Sequence, residues 1–201
     1  MTETTDLKPK TAWYNKNMPE NMMNTHFPHI VNSDHFSAIK ECFNYIDESE
    51  NIIDLGCGKA EISDAFPKYK YCGADLPHII HNVSKLSRPT LEYKEFDAHL
   101  SDMDFVSDFD IIVMNSFLSE ISNANQILDK VLTHAKKYVI VHRQAIENQE
   151  NIATYSTYGG LQTIVYTFDR KDFENIVYQN NFKKIIEVDA SSLKTILLKR
   201  T

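Results

Sequence analysis

The sequence predicts an α/β fold in which a mainly parallel sheet carries helices on both faces. Three observations lead to this prediction. Short apolar runs alternate with amphipathic helical patterns, the first apolar run ends in two closely spaced glycines, and the chain closes with two apolar runs around a short turn. Strands that alternate with helices form parallel sheets, and ligands bind at the carboxyl ends of such strands. A length of 201 residues fits one domain.

Composition narrows the classes of function. The formal net charge is −7 and the eight histidines are scattered, so the chain lacks the basic stripe that binds nucleic acid. No apolar run approaches the ~20 residues that cross a bilayer, and the start has no signal-peptide core. Three cysteines suit free thiols in a reducing compartment. We therefore expect a cytoplasmic monomer or homodimer that acts on a small molecule, with no nucleic acid or membrane partner.

The run Ile52-Ile53-Asp54-Leu55-Gly56-Cys57-Gly58 predicts a buried strand that ends in a glycine turn. Such a turn before a helix offers backbone N–H groups to a polar or anionic ligand. A dinucleotide fold would have glycine where Glu61 stands, and a carboxylate there repels a pyrophosphate. A P-loop would have a hydroxyl where Ala60 stands. The sequence therefore favours a nucleoside without a pyrophosphate over NAD, FAD or a nucleoside triphosphate.

Acidic residues follow the next two predicted strands. The second strand ends in Asp75, before Leu76, and the third, residues 91–96, leads into Asp97 and Ala98. Ligands bind at the carboxyl ends of parallel strands, so these acids would lie at the expected ligand crevice.

The glycine turn and the acids after it resemble the class I S-adenosylmethionine-dependent methyltransferases. The resemblance implies a Rossmann-like three-layer sandwich, with a seven-stranded, mainly parallel sheet and an antiparallel terminal hairpin, over residues 35–201. It implies S-adenosylmethionine as cofactor and S-adenosylhomocysteine as product. In this family, the ribose is bound at the position of Asp75 and the adenine beside Asp97. The implied cofactor-binding residues are Asp54, Leu55, Gly56, Cys57, Gly58, Asp75, Leu76, Asp97, Ala98, Asn115 and Ser116.

Residues 1–34 are interpreted as an N-terminal tail and lid segment. Residues 1–12 are polar, whereas the chain from Trp13 to residue 29 is rich in aromatic residues and methionine. In the resembled family, such segments cover the cofactor and shape the substrate pocket, so we expect a helical lid with Trp13 at the substrate. The alternative is a segment that packs on the outside of the core, because flexible methionines serve both purposes.

The fifth predicted strand ends in His142, Arg143 and Gln144, and these point to the ligand crevice. Methyl transfer to a hydroxyl requires a base, and a histidine is well suited to that task. His142 is the first candidate and Glu120 the second; the alternatives are a core histidine and a solvent-exposed acid. The resembled family often has histidine at the position of Glu120. Arg143 is predicted to hold a carboxylate or phosphate of the acceptor in a bidentate contact; the alternative is an ion pair with a local acid.

Residues 145–163 are expected to form a long functional loop. Its aromatic residues, Tyr155 and Tyr158, would pack on a sugar or close the pocket. Three segments also bear a weaker resemblance to small bacterial methyltransferases associated with surface sugars: His142 to Gln144, Thr157 to Leu161 in this loop, and Asp169 to Phe173 after it. No metal is expected, because His26 with His29 and His78 with His81 lack a third ligand nearby.

Together, these features predict methyl transfer from S-adenosylmethionine to a hydroxyl of a small polar acceptor, a sugar or a phosphate-bearing metabolite. One alternative is N-methylation of a small molecule, which needs no strong base. Another is a binding subunit that has the methyltransferase fold but no activity.

Overall fold

The structure is a computed structural model that describes residues 12–14, 29–158 and 161–201. The side chains of residues 12, 155–158, 161 and 162 lie outside this description. The N-terminal segment is thus described at two short 3-10 helices, Ala12–Tyr14 and Ile30–Asn32. The long stretch between them is outside the described residues, so the helical lid and the domain boundary at residue 34 stay predictions.

Five parallel strands form the centre of the sheet, in the spatial order β3-β2-β1-β4-β5. In β1, Ile53 lies between Cys72 of β2 and Ile112 of β4. β1 and β4 are buried along nearly their whole length, as expected for parallel strands with helices on both faces. The strands are β1 Asn51–Leu55, β2 Lys70–Asp75, β3 Glu92–Glu95, β4 Ile111–Asn115 and β5 Tyr138–Glu147.

Helices cover both faces of this sheet, which confirms the three-layer architecture. On one face, Ile39 of α1 packs with Ile52 and Ile140. On the other face, Leu128 of α4 and Phe173 of α5 pack in a second core. None of the described helices is long and apolar enough to cross a membrane. The helices are α1 Phe36–Phe43, α2 Glu61–Ala65, α3 (in three consecutive pieces, Pro77–Ile79, Ile80–Ser84 and Lys85–Ser87), α4 Ala124–His134 and α5 Arg170–Gln179.

The chain ends in the predicted antiparallel hairpin. Strand β8, Phe182–Ala190, pairs antiparallel with β9, Leu193–Arg200, and β9 pairs antiparallel with β5. The preceding helix α5 begins where Asp169 accepts a hydrogen bond from the backbone N–H of Asp172 at 2.9 Å, as an N-cap aspartate does.

The strand count differs from the prediction, because the described residues form nine strands in one sheet rather than seven. Residues 145–163, predicted as a loop, contain the end of β5, all of β6 (Ile152–Tyr158) and the start of β7 (Leu161–Asp169). β6 and β7 form an antiparallel hairpin, and β7 pairs in parallel with the end of β5. β5 continues to Glu147, beyond the end that the sequence predicts. Its last residues therefore offer a free strand edge to β7, and the Thr- and Tyr-rich sequence of β6 and β7 favours strand formation.

Candidate active site

A cavity of about 500 Å³ opens at the carboxyl ends of the parallel strands. This is the size of a small-molecule site. The predicted site residues on its wall are Trp13, Gly56, Cys57, Gly58, Asp75, Leu76, Ala98, Asn115, Ser116, Glu120 and Arg143. Four predicted site residues are not part of the wall but lie behind or beside it: Asp54, Leu55, Asp97 and His142. Tyr155 and Tyr158 lie on β6, and their side chains are outside the described residues.

The glycine turn after β1 requires glycine for two different reasons. Gly56 has a φ of +74°, and a Cβ there would lie 2.7 Å from Cδ2 of Phe117. Gly58 has a φ of +49°, and a Cβ there would meet no atom within 4 Å. The turn is therefore closed by the Phe117 ring on one side, while Gly58 faces open space in the cavity.

Asp75 connects the end of β2 to this turn. Its carboxylate accepts hydrogen bonds from the N–H groups of Gly58 at 2.8 Å and Leu76 at 2.7 Å. Burial raises the pKa of Asp75 to about 6, although the two backbone hydrogen bonds oppose this shift. The acid is thus held in a fixed position on the cavity wall, as its place in the sequence predicts.

Asp54 and Leu55 lie in β1 beneath the cavity rather than on its wall. Both are buried. Tyr71 donates a hydrogen bond to Oδ2 of Asp54 at 2.8 Å, whereas Oδ1 has no partner among the described residues. Burial raises the pKa of Asp54 to about 7. The geometry gives Asp54 a supporting place under the turn, and it corrects the expectation that these two residues face the ligand directly.

Asp97 follows β3 and contacts the N-terminal segment. The Tyr14 hydroxyl donates a hydrogen bond to Oδ1 of Asp97 at 2.7 Å, and the N–H of His99 donates to the same oxygen at 2.9 Å. Nearby, His78 donates to the carbonyl oxygen of Trp13 at 2.6 Å. These contacts place Trp13 and Tyr14 on the cavity wall, beside Ala98.

Glu120 lies on the cavity wall, at the end of the 3-10 helix Leu118–Glu120 after β4. It is half-buried, so solvent exposure, the alternative from the sequence, is wrong. The Thr163 hydroxyl donates to its Oε2 at 3.3 Å. Burial raises the pKa of Glu120 to about 7, whereas the hydrogen bond and the charge of Arg143 lower it. Such a carboxyl can accept a proton near neutral pH.

A bulge in β5 directs the side chains of the adjacent residues His142 and Arg143 to different places. The pairing of β5 with β9 shifts register between Val141 and Gln144, and Arg143 has a left-handed φ of 60°. A bulge of this kind redirects a side chain, and here it gives the cavity wall Arg143 but not His142.

His142 is 1% exposed, and its Nδ1 lies 2.8 Å from the Thr195 hydroxyl. Burial and the charge of Arg143 lower its pKa to about 3. The expectation that His142 faces the acceptor is therefore corrected, because the bulge turns its ring into the protein.

Among the wall residues that the sequence reasoning missed are His35 and Glu61. His35, just before α1, lines the cavity, and its ring meets that of His142 edge to face at 6.4 Å between centroids. Glu61 accepts a hydrogen bond from the N–H of Ile30 at 2.9 Å and so anchors the N-terminal segment. His35 stands in no motif, and only the packing of α1 on the end of β5 reveals it.

One group of described residues has the side chains and spacing of metal ligands. Asp102, Asp104 and His134 offer ligand atoms within 4.8 Å of one another, but they lie on the surface outside the cavity. Both acids are exposed, and His134 already pairs with Asp104 at 3.3 Å. The group therefore gives no support for a metal at the candidate active site.

The parallel sheet, the glycine turn and the acid after β2 are the features of a Rossmann-like nucleoside-binding fold. The model of the methyltransferase domain family matches residues 27–187. The chain therefore belongs to the methyltransferase domain family. The prediction of a class I S-adenosylmethionine-dependent methyltransferase is confirmed. No curated protein matches the chain significantly.

Solved structures share this fold at low sequence identity. CalS10, an amino pentose methyltransferase from Micromonospora echinaspora with bound S-adenosylmethionine, is 10% identical, with a TM-score of 0.64 over 84% of this chain and 92% of that one. A methyltransferase from Methanosarcina mazei is 18% identical, with a TM-score of 0.61 over 78% and 95% of the two chains. One from Mesorhizobium loti is 12% identical, with a TM-score of 0.62 over 85% and 100%. These similarities establish the fold.

Proposed function

We propose that this enzyme transfers the methyl group of S-adenosylmethionine to a hydroxyl of a small polar acceptor, a sugar or a phosphate-bearing metabolite. The observation that carries the proposal is Glu120, a carboxyl on the cavity wall whose pKa is raised to about 7. Hydroxyl acceptors lose a proton during methylation, whereas amines need no strong base. A base beside the cavity is therefore the feature that favours O-methylation.

The glycine turn and the acids around it fit the cofactor. When bound, S-adenosylmethionine supplies a methyl group on a sulfonium centre and leaves as S-adenosylhomocysteine. Gly58 presents open space where a side chain would obstruct a ligand. In the proposed arrangement, Asp75 accepts hydrogen bonds from the ribose hydroxyls, and Asp97 and Ala98 lie at the adenine. Asn115 and Ser116 continue the same wall after β4.

In the proposed arrangement, the acceptor lies beside Glu120 and Arg143, whose charge reaches Glu120, and Trp13 contributes to the same cavity wall. Glu120 would take the proton of the acceptor hydroxyl on a carboxylate oxygen as that hydroxyl is methylated. The cavity wall would orient the acceptor, and such orientation supplies much of the rate in a displacement of this kind. Burial keeps Glu120 basic enough for the transfer.

The test is Glu120→Gln, which preserves the shape of the side chain and removes the base. We expect turnover to fall by at least about 100-fold, the usual contribution of a general base, with the Kd of S-adenosylhomocysteine unchanged. Tritium transfer from methyl-labelled S-adenosylmethionine to a panel of sugars, sugar phosphates and amino sugars measures the rate. The control is Glu147→Gln, because Glu147 is exposed outside the cavity. Unchanged turnover in Glu120→Gln would exclude this acid as the base.

Two alternatives lead to different results in the same assay. Transfer to amino sugars alone, unaffected by Glu120→Gln or His142→Gln, would indicate N-methylation. CalS10 is named as an amino pentose methyltransferase, which is a reason to include amino sugars. Binding of S-adenosylhomocysteine without transfer to any acceptor would favour an inactive subunit. The cytoplasmic location and the monomeric or dimeric state stay predictions, which cell fractionation and light scattering would test.

A further inference from the structure

Ser84 donates a hydrogen bond to the glycine turn from outside the cavity. Its hydroxyl lies 2.6 Å from the carbonyl oxygen of Gly58, 26 residues away in sequence. The residue is fully buried, and it is not part of the cavity wall. Ser84 therefore contacts the turn but lies outside the space that a ligand would fill.

The turn needs such contacts because glycine restrains its own backbone weakly. Gly58 has a left-handed φ of +49°, and glycine populates positive and negative φ about equally well. The N–H of Gly58 donates to Oδ2 of Asp75 at 2.8 Å, whereas its carbonyl oxygen accepts from Ser84. The peptide groups on both sides of Gly58 are thus held by the protein itself.

A π-helical turn places Ser84 at this carbonyl. The middle piece of α3, Ile80–Ser84, has the wide hydrogen-bond pattern of a π-helix, in which the N–H of Lys85 donates to the carbonyl oxygen of Ile80. Such turns are rare and occur frequently at functional sites. A serine within a helix usually bonds back to its own helix, but here the Ile79 carbonyl oxygen is 3.4 Å away and that of Gly58 is closer.

The packing around Ser84 keeps it in this place. Sγ of Cys57, in the turn, lies 3.8 Å from Oγ of Ser84. A Cβ on Gly73 of β2 would lie 2.8 Å from the same Sγ and 3.0 Å from Cδ1 of Tyr93. The hydroxyl of Tyr93, in β3, donates to the carbonyl oxygen of Ser84 at 3.1 Å. Ser84 is therefore fixed between the turn and the two strands.

Arg88, just after α3, holds the next carbonyl group of the turn. Its guanidinium donates to the carbonyl oxygen of Lys59. The same guanidinium binds Asp64 of α2, with Nε 3.0 Å from Oδ1, and lowers the pKa of that acid to about 2. Neither Ser84 nor Arg88 lies on the cavity wall. Two successive carbonyl groups of the turn are thus held by residues that leave the cavity open.

We propose that Ser84 is a positioning residue for the cofactor, and that its hydrogen bond to Gly58 keeps the glycine turn in the geometry that binds S-adenosylmethionine. Without this bond the turn has more conformations. If only a fraction of the molecules can bind, the Kd rises by the inverse of that fraction. The assignment rests on the proposed place of the cofactor at the turn, and it adds a residue that does not contact the cofactor.

The test is Ser84→Ala, which removes the hydroxyl. We expect the Kd of S-adenosylhomocysteine to rise about fivefold in isothermal titration calorimetry, because about one molecule in five then has the turn in the binding geometry. The matched control is Ser107→Ala, since the Ser107 hydroxyl also donates to a backbone carbonyl, that of Asp104 at 2.7 Å, outside the cavity. Its Kd should equal that of the wild type.

A second variant covers the case in which Ser84→Ala does not fold. Ser84→Cys has a side chain of similar size whose thiol is only a weak donor, so its Kd, measured with a reducing agent, should also rise. A Kd equal to that of the wild type, in whichever of the two variants folds, would overturn the proposal.

A loss of stability alone would give a different result. Ile127→Val, in the core on α4, lowers the free energy of unfolding but does not touch the turn, so its Kd should stay unchanged. In Ser84→Ala, we expect the amide NMR resonances of Gly58 and Lys59 to broaden by exchange on the μs–ms timescale and to sharpen when S-adenosylhomocysteine saturates the protein. Sharp resonances for both amides in the free variant would contradict a mobile turn.

The two proposals fail in different ways. Asp75→Ala tests whether the turn and its acid bind the cofactor, whereas Ser84→Ala tests how the turn is held. A higher Kd in Asp75→Ala, with an unchanged Kd in Ser84→Ala, would keep the cofactor site and reject the role of Ser84. An unchanged Kd in both variants would reject the cofactor site at the turn, and the role of Ser84 with it.

Discussion

Glu120 is a base candidate because of its surroundings rather than its sequence context. A glutamate after a strand is usually solvated, but this one is half-buried on a cavity wall and its pKa rises to about 7. Thr163, in a segment predicted as a loop, contacts it from β7. The hairpin that the sequence did not predict therefore helps to bury the proposed base.

The protonation of Glu120 predicts a pH profile. Only the carboxylate accepts a proton, so kcat/KM should rise with pH below about 7, about tenfold per pH unit at the acidic end, and level off above that value. Initial rates between about pH 5.5 and 8.5 measure the profile. The same inflection in Glu120→Gln would show that another group is responsible.

Asp75 should be a main determinant of cofactor affinity. Asp75→Ala removes an acceptor for two ribose hydroxyls and leaves the N–H groups of Gly58 and Leu76 without their present partner. We expect the Kd of S-adenosylhomocysteine to rise at least about tenfold, since each charged hydrogen bond is worth about 1.5–3 kcal/mol. Isothermal titration calorimetry measures the change. The control is Asp108→Ala, an exposed acid outside the cavity, and equal losses in both variants would contradict the role of Asp75.

At the scale of elements, the hydrogen bond from Tyr71 to Asp54 joins β1 and β2 inside the core. Tyr71→Phe should lower the free energy of unfolding by about 2 kcal/mol at pH 8, because an ionised buried carboxylate loses its donor. The pKa of Asp54 is about 7, above its usual value of 3.8, so this acid destabilises the fold increasingly as pH rises from about 4 to 7. The loss in Tyr71→Phe should accordingly be smaller at pH 5.

Urea denaturation at both pH values measures these differences. The control is Tyr178→Phe, because Tyr178 is 82% exposed and its variant should change stability little. Equal losses in Tyr71→Phe at pH 5 and pH 8 would contradict the assignment of the charge to Asp54.

The β5 bulge is the element that the sequence could not reveal. Residues 138–144 read as one apolar strand with a polar end, and an alternating strand would place His142 and Gln144 together on one face. Instead, the register shift turns Arg143 to the cavity, and β5 continues to Glu147. A bulge depends on how two strands that are distant in sequence pair, here β5 and β9, and no local pattern specifies that pairing.

At the scale of the whole molecule, Tyr14 links the N-terminal segment to Asp97, a residue that follows β3 beside the cavity. Its hydroxyl donates to Asp97, 83 residues away in sequence. Tyr14→Phe removes this bond, which is worth about 1 kcal/mol or more. We expect faster amide hydrogen exchange at Trp13 and Tyr14 with little change in the core strands. Exchange followed by mass spectrometry checks this, with Tyr45→Phe, a half-exposed tyrosine outside the cavity, as the control. Unchanged amide exchange at residues 13 and 14 would show that the hydrogen bond from Tyr14 to Asp97 does not hold the N-terminal segment in place.

The sequence by itself determined the parallel α/β core, the glycine turn, the acid at the end of β2 and the class of enzyme. These features are local, because a strand, its turn and the next helix are specified by neighbouring residues. Only the tertiary structure decided that Glu120 rather than His142 reaches the cavity, that His35 joins Arg143 there, and that two further strands extend the sheet. Each of these depends on burial or strand pairing between distant segments, which the pattern of a single segment does not encode.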